Sequence, residues 1–227
     1  MRRRALLVLR QPLPCLRGLP GRGWRRTLAA RMNFLAHLTL TGPAEAPDYA
    51  GRLLGQFIAD SVPGRRLLQQ YPAAVQDGIR AHRAIDTFTD QHPVVRRTTA
   101  RIREAGYGKY AGVVADMFFD HLLASDFNQY SPERLADFAA RVYVVLEAQA
   151  SLFPEPVQRF FPHLVQHNWL LSYARPEGLA QALAGLGRRA PASGMGTAAQ
   201  ELARHRSAYA ADFQEFFPQL QAYAATL

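Results

Sequence analysis

Apolar residues recur at three- and four-residue intervals along most of this 227-residue chain, and no stretch alternates as a half-buried strand would. Val113, Val114, Met117, Phe118 and Leu122 trace one face of a helix over 109–126. Leu135, Phe138, Ala139, Val142, Val145 and Leu146 do the same over 132–152. The same periodicity predicts helices over 33–40, 46–61, 64–71, 73–91, 93–105, 155–170, 176–187 and 196–224. Pro132, Pro156 and Pro176 stand where first-turn prolines belong, with Ser131 as an N-cap before Pro132. The stretch 188–197, with Pro191, Ser193, Gly194 and Gly196, reads as a flexible linker before a long last helix. An all-α fold follows, an irregular multi-helix bundle, with residues 32–227 expected to form one domain.

Charge divides the chain. Nine of its 27 basic residues lie in 1–31, which holds no Asp or Glu, leaving 18 basic and 18 acidic residues in 32–227. The net +9 therefore belongs to the leader, and a basic nucleic-acid surface on the body is not expected. Arg-rich and acid-free, the leader resembles an organellar transit peptide, and its apolar run Ala5–Leu9 is too short for a secretory signal. Arginine stands almost everywhere for lysine, Lys109 being the exception, as in a GC-rich coding sequence. The favoured expectation is thus that Met32 is the true start. Cys15, the one cysteine, lies in the leader, so the body has no thiol chemistry, which fits a cytoplasmic protein. No run approaches the roughly 20 apolar residues of a membrane span.

Two helix-sized stretches carry acids and histidines at ligand spacing. In HRAIDTFTD, residues 82–90, His82 and Asp86 are four apart and share a face, with Asp90 a further four along. In ADMFFDHLLA, residues 115–124, Asp116 and Asp120 repeat the spacing and His121 follows. Apolar neighbours such as Ile85, Phe88, Met117 and Phe119 make a bare carboxylate costly there unless it is paired or metal-bound. Solvated i, i+4 pairs are the plainer alternative, and Asp90 is as readily a turn residue. Oxygen and imidazole donors without cysteine suit a hydrolytic divalent metal better than a structural zinc. His121 could be a further ligand or an acid/base.

The segments MNFLAHL (32–38), GQFIAD (55–60), GIRAHRAIDTFTDQHPVVR (78–96), YAGVVADMFFDHLLA (110–124), VQRFFPHLVQHNWLLSYA (157–174) and GLAQALAGLGRR (178–189) resemble the acyl carrier protein phosphodiesterases. The resemblance runs in order over essentially all of 32–227. It implies an all-α, HD-domain-like fold and metal-dependent removal of 4′-phosphopantetheine from a serine of holo-acyl carrier protein, an acidic protein substrate. It also draws in Asp60 and His37, which the residue pattern does not single out. The implied metal ligands are Asp60, His82, Asp86, Asp116 and Asp120, holding Mn²⁺ or another divalent cation such as Mg²⁺. His121 or His37 would protonate the departing serine oxygen, and Arg83 and Arg80 would contact phosphate. Arg65-Arg66, Arg188-Arg189 and the run Arg96, Arg97, Arg101, Arg103 are candidates to meet the carrier protein.

Two departures from the family pattern stand out. Gln56 occupies a position where members usually have Asn, and Ser61 one where they often have an aromatic. The order Asp120-His121 also reverses the doublet that names the HD phosphohydrolases. The competing readings are an HD-type nucleotide phosphohydrolase and a non-catalytic helical module that binds metal.

Overall fold

The computed structural model describes residues 34–227; the expected leader and the expected start at Met32 lie outside the described residues. Twelve α-helices, joined by short 3₁₀ or wide turns, and no strand occur among these residues. The helices are α1 (Phe34–Thr39), α2 (Tyr49–Ile58), α3 (Gly64–Leu68), α4 (Ala73–Gln91), α5 (Pro93–Ile102) and α6 (Ala111–Ser125). They continue as α7 (Leu135–Glu147), α8 (Glu155–Gln166), α9 (Trp169–Ser172), α10 (Pro176–Arg189), α11 (Ala198–Arg204) and α12 (Arg206–Ala224).

Helix α6 is the hub, packed against α1, α5, α10 and α12. It buries Val114, Met117, Phe118, Phe119, Leu122 and Leu123 around most of its circumference. Asp120 and His121 are buried with them, so both side chains must find polar partners inside the protein.

The most extensive helix pair is α2 with α4. Glycines set its closeness. A Cβ on Gly55 would stand 2.2 Å from the Val75 carbonyl oxygen, and one on Gly78 would stand 2.1 Å from that of Arg52. Neither position tolerates a side chain unless the helices separate, because the obstructing atoms are backbone.

Several sequence boundaries shift for local reasons. The helix expected from 132 begins at Leu135, because Ser131 Oγ accepts from the Glu133 N–H in a turn of its own. Arg141 then holds Glu133 from within α7. The helix expected over 155–170 stops at Gln166, and Asn168 turns left-handed with φ 43°. The Tyr143 hydroxyl secures that corner, accepting from Leu170 N and donating to Asn168 Oδ1. The long last helix is two, broken at His205 (φ −122°, ψ 28°). The stretch expected to be a flexible linker instead lies against α10 as two 3₁₀ turns, with Ser193 and Met195 buried. No helix of the described residues is long and apolar enough to cross a membrane.

Candidate metal centre

Three side chains from two helices converge: His37 of α1 with His82 and Asp86 of α4. One donor atom from each lies within 4.8 Å of the others. The imidazoles stack face to face, 3.7 Å between centroids and 14° between planes. Both are almost fully enclosed, with Asp86 at the edge. His37 Nε2 stands 3.4 Å from Asp86 Oδ1, and His82 Nε2 stands 3.6 Å from Asp86 Oδ2. Asp60, in the turn after α2, brings Oδ1 to 3.7 Å from His82 Nε2 and is 29 % exposed, which puts it on the rim. The i, i+4 spacing on α4 aligns His82 with Asp86. The close α2–α4 crossing brings the Asp60 turn alongside.

The other ring nitrogens are occupied. His82 Nδ1 lies 2.8 Å from the main-chain carbonyl oxygen of Gln56, and His37 Nδ1 lies 3.2 Å from Gln56 Oε1. Both Nε2 atoms are buried with no hydrogen-bond partner among the described residues. Their distances to the carboxylate oxygens exceed the 2.7–3.2 Å of a good N–H···O bond. Burial holds the His37 imidazole below its ordinary pKa, helped by the neighbouring His82, against the pull of Asp86. Two buried Nε2 atoms without a hydrogen bond thus face the Asp86 oxygens, the donor arrangement that a cation between them would satisfy.

The contacts of 3.4 and 3.6 Å lie close to the spacing that such a cation imposes. Ligands each about 2.0–2.2 Å from a metal, at tetrahedral or octahedral angles, lie about 3–3.5 Å from one another. A metal-bound histidine usually donates its remote N–H to a carbonyl or carboxylate, as the Nδ1 atoms are placed to do. The residues fit a divalent ion.

On α6, Asp120 and His121 have partners away from this cluster. Asp120, completely enclosed, accepts from Leu35 N and Ala36 N at 3.0 Å each. Its carboxylate thus satisfies the open N–H groups at the start of α1, where a negative charge also suits the helix dipole. Burial raises its pKa to about 7, although those two hydrogen bonds pull the other way. Asp116 is half-buried one turn earlier. Neither carboxylate belongs to the close group around His37 and His82. The oxygens of Asp120, expected as a ligand, instead meet a helix end.

His121 also lies outside that group. Its Nδ1 lies 2.7 Å from the Tyr173 carbonyl oxygen, which can only accept, so Nδ1 carries the proton. Its Nε2 accepts from Arg206 at 3.2 Å. Burial lowers its pKa, and the Tyr173 bond only partly opposes this. Both ring nitrogens, at which the expected proton transfer would occur, have partners in this structure. His37, the other expected acid, stands within the cluster with His82 and Asp86.

The expected phosphate contacts are also engaged. Arg80 is exposed and bonded to Asp77 and Gln76. Arg83 donates to the carbonyls of Val62 (2.6 Å) and Gly64 (3.5 Å), tying α4 to the turn that carries Asp60. Arg97 and Arg101 are held by buried Asp212 on α12, Arg97 also by Glu215. Arg65 and Arg66 are exposed at the start of α3, with no acidic partner among the described residues. The sequence signal for the hydrogen-bonding role of Gln56 was a lone amide inside the buried run LLGQFIA.

The family model for acyl carrier protein phosphodiesterase matches residues 32–220. A protein named acyl carrier protein phosphodiesterase from Photorhabdus laumondii is 33% identical over 189 residues, covering 82% of this chain and 92% of its own. Proteins of the same name from Salmonella agona (32% identical; 86% of this chain, 98% of its own) and Serratia proteamaculans (30% identical; 85% and 97%) agree. No solved structure matches the chain. A cation-ready pair of buried histidines with a carboxylate, carried by segments that the family model spans, leads to one assignment: the chain belongs to the acyl carrier protein phosphodiesterase family.

Proposed function

We propose that this protein hydrolyses the phosphodiester joining 4′-phosphopantetheine to a serine of holo-acyl carrier protein, giving the apo carrier, in the cytoplasm. The carrying observation is the pair of orphaned Nε2 atoms facing Asp86 in a chain matched by the family model over 32–220. His37, His82 and Asp86 would hold the cation, with Asp60 beside them on the solvent side. Bound there, the ion would supply a Lewis acid to polarise the phosphoryl group and to acidify a water molecule. Two imidazoles beside carboxylate oxygens suit Mn²⁺ better than Mg²⁺, which prefers all-oxygen ligation.

The chain's own residues supply the rest. Asp60 faces both the centre and solvent, the position from which a carboxylate orients an attacking water. Arg83 keeps that turn in place through its carbonyl bonds. Arg65 and Arg66, five and six residues beyond Asp60 and uncommitted, are the cations best placed to meet an anionic protein substrate. Arg97 and Arg101 already neutralise Asp212.

The test is incubation of the full chain with holo-acyl carrier protein and Mn²⁺. Loss of the phosphopantetheine mass from the carrier supports the proposal. An intact carrier alongside turnover of a phosphorylated nucleotide overturns it, and inertness towards both favours a non-catalytic metal-binding module.

A further inference from the structure

We infer that Gln56 is the positioning residue for both imidazoles of the centre, its main-chain carbonyl fixing His82 and its side-chain amide oxygen fixing His37, each as the Nδ1–H tautomer. The inference rests on reading the cluster as a cation site, though not on the reaction carried out there.

For His82 the Nδ1 proton follows from the partner. A carbonyl oxygen has no proton to give, so the 2.8 Å contact requires the hydrogen on Nδ1, while Nε2 makes no hydrogen bond to Asp60 or Asp86 at 3.7 and 3.6 Å. Gln56 can offer that carbonyl because it lies in the last turn of α2, where main-chain oxygens run out of intrahelical donors. The glycine-lined crossing brings the oxygen within reach, since a side chain at Gly55 or Gly78 would push α2 away from α4.

For His37 the amide could in principle stand either way. Were its NH₂ group to face Nδ1, the ring proton would move to Nε2 and point at Asp86 Oδ1. That contact measures 3.4 Å, and Nε2 makes no hydrogen bond. Nδ1–H donating to Oε1 at 3.2 Å is the arrangement that the geometry favours.

The stack explains why one residue can serve two rings. The ring centroids lie 3.7 Å apart, so a carbonyl level with one ring needs an extension of about that length to serve the other. The side chain of the same residue supplies it. Gln56 is 2 % exposed, so no solvent competes for either bond. With both protons held on the far side, both lone pairs face Asp86. Loss of such a partner on the remote nitrogen of a metal-binding histidine typically costs about 10- to 100-fold in metal affinity.

The test uses ring ¹⁵N spectra of the metal-free full chain at pH 7.5, together with Mn²⁺ titration calorimetry. The inference expects a protonated Nδ1 and a bare Nε2 on both His37 and His82. Gln56→Leu should release the His37 tautomer, leave His82 unchanged and weaken Mn²⁺ about 10- to 100-fold. Gln56→Glu keeps an acceptor and should restore the His37 pattern. A proton on His37 Nε2 in the unaltered protein overturns the inference, as does a Gln56→Leu protein with unchanged tautomer and Mn²⁺ affinity. Should Gln56→Leu fail to fold, the spectra of the unaltered protein and of Gln56→Glu still decide the question. Failure of Mn²⁺ to bind the unaltered protein would sink the cation reading. Failure to cleave the carrier would sink only the proposed substrate.

Discussion

Gly55→Ala tests whether the α2–α4 crossing sets the geometry of the centre. The new methyl would sit 2.2 Å from the Val75 carbonyl oxygen and 2.7 Å from Gly78 Cα and Ile79 N. All three are backbone atoms, so no rotamer relieves the clash, and the helices must part by about 1 Å to restore ordinary contact. Overpacking of this kind costs about 1–3 kcal/mol, against which Ala recovers up to about 1 kcal/mol of helix propensity over Gly. The net expectation is a loss of about 1–2 kcal/mol in urea unfolding. The same displacement would stretch the 2.8 Å bond from His82 Nδ1 to the Gln56 carbonyl beyond hydrogen-bonding range. Calorimetry should then show Mn²⁺ binding weakened by about tenfold or more, even in the fraction that folds. A variant with unaltered urea midpoint and unaltered Mn²⁺ affinity would refute the idea that this contact holds the ligands in register.

Other outcomes follow from the same structure. Asp86→Ala removes the carboxylate shared by both Nε2 atoms, so Mn²⁺ binding and carrier hydrolysis should fall together, and chelation of the unaltered protein should reproduce the loss. Asp120 has a folded pKa raised to about 7 from 3.8, so the native state binds the extra proton between those values. Its contribution to stability is therefore fully present below about pH 4 and lost as pH rises towards 7. Relative to Asp120→Asn, the unaltered protein should weaken across that window, and parallel stability curves would contradict the assignment. Asp212→Ala should cost about 1–3 kcal/mol by freeing Arg97, Thr98 and Arg101, yet leave Mn²⁺ affinity unchanged, which calorimetry would check. Arg65→Glu with Arg66→Glu should raise KM for the carrier protein in steady-state assays while sparing kcat; an unchanged KM would remove α3 from substrate docking.

Much of the fold is legible in the sequence because helical periodicity is local. Helix α4 spans Ala73–Gln91, the range predicted from its apolar stripe, and the His82–Asp86 pair follows from spacing within it. The breaks at Asn168 and His205 are not legible, since neither position carries the glycine or proline that usually marks an end. The centre is half legible for a related reason. His37 meets His82 across 45 positions, and nothing near either residue announces the stack. Asp120 shows the opposite difficulty. An acid on an apolar face must have a partner, but a cation and the N–H groups of another helix satisfy it equally well. The partner here is main chain, and main chain leaves no mark on sequence.

Helix α1 has six residues, too few to hold together in water by its own hydrogen bonds. It is a clip rather than a strut: Leu35 and Leu38 are pressed into the core, and the Asp120 carboxylate grips its first turn. Amide exchange at Leu35 and Ala36 should therefore report undocking of the segment as a whole, not fraying of a helix end. Because His37 rides on the clip, each undocking would also take one of the two imidazoles away from the other. The lifetime of the assembled centre is then bounded by how often a six-residue segment lets go.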